Sequence, residues 1–225
     1  MDQVLELKQH WATFVGVAET SPEFDDIAQA SRTIHLQSGD YLVSQGDTSQ
    51  TVFLLLEGAL KAVRYSQNGH EIWLSSFAPY ALMGEMSGLT GAPRSSTIIC
   101  VEPSIVLAVE FADFEQAIHS NPAFGLKLSR LLAERVRSTS TQLEELATLQ
   151  TSARLHSELY RLGVQDNQDD ERATITSPPS VSELAVRIHA ARESTSRALS
   201  LLQKRGFLKR HQDGALDVIS PKSLD

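Results

Sequence analysis

The stretch Gly84–Thr97, GEMSGLTGAPRSST, sets one acid, Glu85, and one base, Arg94, in a run of otherwise small and apolar residues. Taken alone, a Gly- and Ser-rich loop with one Glu and one Arg is explained as well by a surface turn, and the surrounding sequence has to decide. Outward on both sides, short runs rich in Val, Ile, Leu and Phe recur between Ile34 and Val109. TIHL, YLV, TVFLLL, LKAVRY and EIWLSSF come before the stretch, and STIICV and SIVLAVE close it and follow it. Turn signals separate them at Ser38-Gly39-Asp40, Gly46-Asp47, Glu57-Gly58 and Asn68-Gly69. Spacing of this kind predicts a small antiparallel barrel or roll. Asn68-Gly69 predicts a tight hairpin, because both central residues of such a turn need positive φ.

The totals bound what such a chain can be. Its 225 residues are long for one domain and comfortable for two, and a hydrophobic fraction of 41% supports ordinary cores. No apolar run approaches the ~18–20 residues of a membrane helix. The opening MDQVLELKQHWATF lacks the basic-then-apolar pattern of a secretory signal. The single cysteine, Cys100, forms no internal disulfide and supplies no self-contained Fe–S or cysteine-based zinc site. His10, His35, His70, His119, His156, His189 and His211 are scattered without metal-like spacing. Ser, His and Asp are present, but no nucleophile elbow is. The expectation is a cytoplasmic protein with no membrane partner, no metal and no enzymatic activity. Trp11, Phe14 and Phe24 are expected to staple N-terminal helices to the roll as core.

Net charge is -8, but it is unevenly spread. From Ser177 onward, eight basic residues (Arg187, Arg192, Arg197, Lys204, Arg205, Lys209, Arg210, Lys222) outnumber five acidic ones. A basic tail on an acidic body points to two separate tasks.

From about Asn121 to Leu149 the chain reads as one long helix. Pro122 suits its first turn, and no Gly or Pro interrupts it after Gly125. Leu132, Val136, Thr139, Leu143, Leu146, Gln150 and Ala153 step by four and three in alternation, an a/d seam. The seam predicts pairing with the same helix of a second copy; a helix laid on its own barrel is the alternative. Beyond it come a helix over Ala153–Leu162, a polar turn and short strand in GVQDNQDDERATITSPPS, helices over Val181–Ile188 and Arg192–Lys204, and a hairpin turning at Asp213-Gly214. Two short helices followed by a hairpin form a winged helix-turn-helix pattern.

In this order, from about Ile34 to Ile219, the sequence resembles the cyclic-AMP receptor protein/FNR family of bacterial transcription regulators. The resemblance implies an α+β fold with three parts. These are an N-terminal cyclic-nucleotide-binding β-roll of the double-stranded β-helix (jelly-roll) type over 1–120, a dimerisation helix over 121–150, and a winged helix-turn-helix DNA-binding domain over 151–225. GEMSGLTGAPRSS is similar to the family's phosphate-binding cassette, which implies ligand contacts from Gly84, Glu85, Met86, Arg94 and Ser95. The chemistry agrees. Arg94 can present a fork to the single negative charge of a cyclic phosphodiester. Glu85 can accept the ribose 2′-OH and hold Arg94 in place, while Ser95 can donate to the same phosphate or to the base. Gly84, Ser87 and Gly88 let backbone N–H groups approach the phosphate closely. Gly88 stands where the family usually has a larger apolar residue.

Thr139-Ser140 resembles the family's adenine-contacting pair, so both are candidate base contacts. A polar seam residue that sets register is the competing reading of Thr139. VSELAVRIHAARESTSRALSLLQKRGFL resembles the family's helix-turn-helix. This implies DNA contacts from Ser180, Ser182, Arg192, Glu193, Ser194, Arg197 and Lys204, with Arg192, Glu193 and Arg197 reading a TGTGA-like half-site. Arg matches guanine O6/N7 and Glu matches cytosine N4. Ala191 replaces the Ser that usually caps the recognition helix. The implied protein is a homodimer gated by a cyclic mononucleotide, cyclic AMP first. It reads a palindromic double-stranded DNA site and addresses RNA polymerase. Two alternatives stand: the same DNA role with cyclic GMP, cyclic di-GMP or no ligand, and a nucleotide-binding module acting through protein contacts.

Overall fold

A computed structural model of the chain describes residues 2–17, 22–66, 69, 71–164 and 172–219. They form two compact units, Met1–Arg135 and Val136–Asp225. The division falls inside the long helix rather than at either of its ends. The reason is burial: Phe124 and Leu128 lie in the first unit's core, whereas Val136 is 67% exposed.

In the first unit, helix α1 (Asp2–Val15) and the short helix α2 (Asp25–Ala30) precede six antiparallel strands. These are β1 (Arg32–Leu36), β2 (Tyr41–Val43), β3 (Val52–Tyr65), β4 (Glu71–Phe77), β5 (Leu82–Met83) and β6 (Thr97–Val109). The sheet runs β1-β6-β3-β4, with β2 on β6 and β5 on β3. Runs such as TVFLLL are continuously apolar because both faces of the sheet are covered. Val52, Leu54, Leu107 and Val109 pack with Trp11, Phe24, Phe114 and Phe124, while Phe53, Leu55, Val106 and Ala108 face a second core with Leu60 and Ile98. Trp11, Phe14 and Phe24 are buried as expected, and Trp11 donates its indole N–H to Ser31 Oγ at 2.9 Å.

Two expected breaks are absent. Glu57-Gly58 lies within β3, and STIICV and SIVLAVE are one strand, β6. Gly58 sits in a stretch of register shifts between these two long strands, at φ +87, and a Cβ there would meet Pro103 O at 2.5 Å. The glycine permits a bulge and a close strand approach rather than a turn. Gly69 has the positive φ expected of its turn, and Asn68 lies outside the described residues.

Helix α3 (Glu85–Thr90) follows β5. After β6 come α4 (Phe111–Ser120) and α5 (Pro122–Thr148), which starts at the expected proline. The second unit holds the distal half of α5, then α6 (Thr151–Val164), β7 (Arg172–Ile175), α7 (Val181–Arg187), α8 (Arg192–Lys204), β8 (Leu208–Arg210) and β9 (Leu216–Ile219). The three strands pair in the order β7-β9-β8. Leu155, Leu159, Leu184, Ile188, Leu202 and Val218 form its core. Gly214 turns the β8–β9 hairpin at φ +95, with Ala215 N–H bound to Asp213 Oδ1 at 3.0 Å. The acidic run at 165–171 lies outside the described residues.

Candidate functional site

Gly84 caps α3 in the left-handed conformation, at φ +84. A Cβ there would stand 2.6 Å from Arg94 Nη1 and 2.7 Å from Thr51 O, so only glycine lets the arginine lie this close to the backbone. Arg94 is 3% exposed. Its Nη1 donates to Gly84 O at 2.9 Å and Ser87 Oγ at 3.4 Å, its Nη2 to Thr51 O at 2.6 Å and its Nε to Ser49 Oγ at 3.2 Å. Burial lowers its pKa from the ordinary arginine value, against the pull of Asp47, Glu85 and Glu110. The guanidinium stays charged at neutral pH. It is a fixed cation whose fork is turned onto protein acceptors.

The sequence suggests that Glu85 holds Arg94. The structure pairs Glu85 with Arg135 instead, a residue of α5 that also donates to Leu82 O. Carbonyls and hydroxyls hold Arg94. Arg135 is the site residue missed in the sequence, because its partner lies 50 positions away and one Arg among several on a polar helix carries no local signal. Glu85 is 1% exposed, and its Oε2 has no hydrogen-bond partner among the described residues. Burial raises its pKa above the ordinary value, while Arg135 pulls the other way. Met86 is half exposed and Ser95 is exposed. Gly88 is not simply missing bulk: a Cβ there would run into the ring of Phe111, which fills the space.

On the distal half of α5, Thr139 and Ser140 are exposed. Ser140 Oγ donates back to Val136 O at 2.9 Å. Val136 and Leu143 are each 67% exposed and Leu146 is 38% exposed, an apolar line on one helix face. The helix ends at Thr148, however, so the seam does not run on through it. Gln150 lies in the break and Ala153 belongs to α6. Five of the seven stepped positions share α5.

Ser180 caps α7, its Oγ accepting from Glu183 N–H at 3.2 Å, and Ser182 is exposed beside it. Ala191 caps α8 with no side-chain bond. At 100° per residue, the exposed Arg192, Ser196, Ser200, Glu193, Lys204 and Arg197 fall within an arc of about 140°, while the buried Thr195, Ala198 and Leu202 face inward. Ser194 lies on the flank of that arc, half-buried, and accepts from Arg197 Nη2 at 3.2 Å. In the wing, Asp217 accepts from Thr174 Oγ1 at 2.8 Å and pairs with His211 Nε2 at 2.9 Å. Among the described residues no group of three or more His, Cys, Asp or Glu could hold a metal ion, and no helix is long and apolar enough to cross a membrane.

The family profile of the cyclic nucleotide-binding domain matches residues 33–121, and that of the Crp-like helix-turn-helix domain matches residues 153–225. A CRP-like cAMP-activated global transcriptional regulator of Mycobacterium tuberculosis is 24% identical over 188 residues, covering 81% of this chain and 84% of that protein. Among solved structures, a CooA mutant from Carboxydothermus hydrogenoformans has TM-score 0.75 at 17% identity, covering 91% of this chain and 90% of the other. The c-di-GMP responsive global regulator CLP of Xanthomonas campestris has TM-score 0.72 at 17% identity, covering 88% and 98%. A cyclic nucleotide-binding profile over the antiparallel sheet and a Crp-like helix-turn-helix profile over the C-terminal residues, with a long helix between them, place the chain in the CRP/FNR family of transcription regulators.

Proposed function

We propose that this regulator works as a homodimer gated by a cyclic mononucleotide, cyclic AMP first, and that it reads a palindromic TGTGA-like site and addresses RNA polymerase. The observation that carries the gating is Glu85 Oε2, a buried carboxylate oxygen without a hydrogen-bond partner among the described residues, beside a fixed arginine. A buried acceptor left empty costs about 1–3 kcal/mol, and a ribose 2′-OH satisfies it. The residues therefore fit a cyclic nucleotide. Arg94 supplies the charge that a phosphodiester needs, Ser95 and the α3 backbone supply donors, and Arg135 holds Glu85 in orientation. Thr139 follows Arg135 by one helical turn, and with Ser140 it would receive the base. The cAMP-activated relative favours cyclic AMP.

The exposed line Val136–Leu143–Leu146 supports the dimer seam. On α8, Arg192, Glu193 and Arg197 are the base readers, with Ser194 at their flank. Ser180, Ser182 and Lys204 are the phosphate-backbone contacts in this reading. A second reading keeps the DNA role and changes the signal. It is favoured by the Arg94 fork, which is engaged by Gly84 O and Thr51 O rather than left open. Calorimetry of wild type and Glu85→Gln against cyclic AMP, cyclic GMP and cyclic di-GMP decides between them. The expected result is one tight mononucleotide, weakened by about 1.5–3 kcal/mol in the variant, the range for a hydrogen bond to a charged group. Binding only of cyclic di-GMP, or binding indifferent to Glu85, would replace the first reading by the second.

A further inference from the structure

Arg161, in the third turn of α6, reaches back across the α5–α6 break to Glu145 in the last turn of α5. Nη1 donates to Oε1 at 2.9 Å and Nη2 to Oε2 at 3.1 Å, a bidentate pair. On its own helix the same guanidinium donates to Glu158 Oε2 at 3.1 and 3.3 Å. Glu158 Oε1 accepts from Arg187 Nη1 at 3.3 Å, and Arg187 donates to Glu183 Oε1 at 2.9 and 3.2 Å. Charges thus alternate from the end of α5, through α6, into α7 of the helix-turn-helix. The side chains of Glu145, Glu158 and Arg187 are only 17%, 13% and 11% exposed, so these pairs are less screened than ordinary surface ones.

The break itself has no proline or glycine to cause it. Sharp kinks within a helix fall mostly at Pro, at Gly or at an inserted group. The stretch from Leu146 to Arg154, LATLQTSAR, contains neither Gly nor Pro, and the four-and-three stepping runs on through Gln150 and Ala153. Were the chain a single helix there, Glu145 and Arg161 would stand about 24 Å apart at 1.5 Å per residue. Their pairing exists only when α6 folds back along α5, whereas Arg161–Glu158, three residues apart on one helix, is indifferent to the fold-back. Leu146 lines a cleft with Ile188 and His189 beneath the same clamp.

We propose that Arg161 is a positioning residue: its clamp on Glu145 holds the fold-back and thereby sets the direction of the helix-turn-helix and the half-site spacing that the dimer accepts. The spacing clause rests on the DNA reading above, so the test has two arms. In the first, full-length chain spin-labelled at Arg137 and Gln212 is diluted into unlabelled chain, and the intramolecular distance distribution is measured. One narrow distance is expected in wild type and a second population in Glu145→Gln, with no further change on adding Arg161→Gln. In the second arm, palindromic duplexes with spacers lengthened or shortened by one or two base pairs are titrated. Wild type should prefer one spacing by tenfold or more, and Glu145→Gln should flatten that preference below threefold without changing affinity for non-specific DNA. An unchanged distance distribution in Glu145→Gln, or independent effects of the two substitutions, overturns the clamp. A distribution that responds, in a protein that prefers no palindrome, leaves the clamp standing and overturns the DNA reading.

Discussion

His189, in the turn between α7 and α8, adopts φ +50, a conformation that glycine accepts freely and side chains with a Cβ adopt at a cost. Partial burial in a cleft shared with Arg154 and Glu158, and the Arg154 charge, hold its pKa below the ordinary imidazole value. The unfolded chain therefore takes up a proton near pH ~6.5 before the folded chain does. The contribution of neutral His189 is present above that pH and is lost as pH falls from there through the lowered folded value. His189→Gly is expected to do two things in thermal unfolding between pH 5 and 7.5. It should raise stability at pH 7.5 by about 1 kcal/mol through relief of the left-handed backbone, and it should make the acid-side decline shallower. A steeper decline than wild type would contradict this assignment.

At the scale of elements, α8 divides its labour by angle. Arg192 and Arg197 bracket the exposed arc, Glu193 lies between them, and Thr195 anchors the buried side by donating its Oγ1 to Ala191 O at 3.1 Å. Arg192→Ala or Arg197→Ala should lose ~1–3 kcal/mol at one base pair per half-site and relax the preference there. Lys204→Ala should weaken all sequences alike, with a shallower salt dependence. Fluorescence titration against a set of single-base-pair variants, at two salt concentrations, separates the two patterns. A uniform loss from Arg192→Ala would remove it from the base readers. The pairing of Gly88 with Phe111 belongs to the same scale. The cassette helix lies tight on α4 because one element gives up a side chain where the other supplies a ring.

At the scale of the whole molecule, α5 is the one element shared by both units, with Arg135 on one side of the division and Thr139 and Ser140 on the other. An effector that binds two arrangements of this helix with different affinity shifts their populations, and nothing else about the effector does. The coupling is then reciprocal, with an expected size of roughly 1–3 kcal/mol: effector tightens DNA binding and DNA tightens effector binding by one factor. Thr139→Ala should keep effector binding through Arg94 and Glu85 yet lose much of this coupling. The check is effector affinity with and without a specific duplex, in wild type and variant. Equal affinities in wild type would leave a DNA binder without a switch.

The sequence alone determined what depends on neighbours in the chain. Alternation and apolar runs give strands, Pro122 starts α5, and Gly84 through Arg94 carry the cassette pattern. The angular pattern of α8 follows from its residues as well. Contacts between distant residues were decided only by tertiary structure. Glu57-Gly58 has the composition of a turn, but the approach of β6 makes it a bulge. Glu85 takes Arg135 because the fold brings the two side chains together, and the burial that disfavours the Glu85 charge is partly offset by the opposite charge beside it. The seam pattern runs past Thr148, yet the helix stops there. Helical periodicity fixes which side of a helix is apolar but not where the helix ends; at this end the fold brings Glu145 and Arg161, sixteen residues apart, into contact.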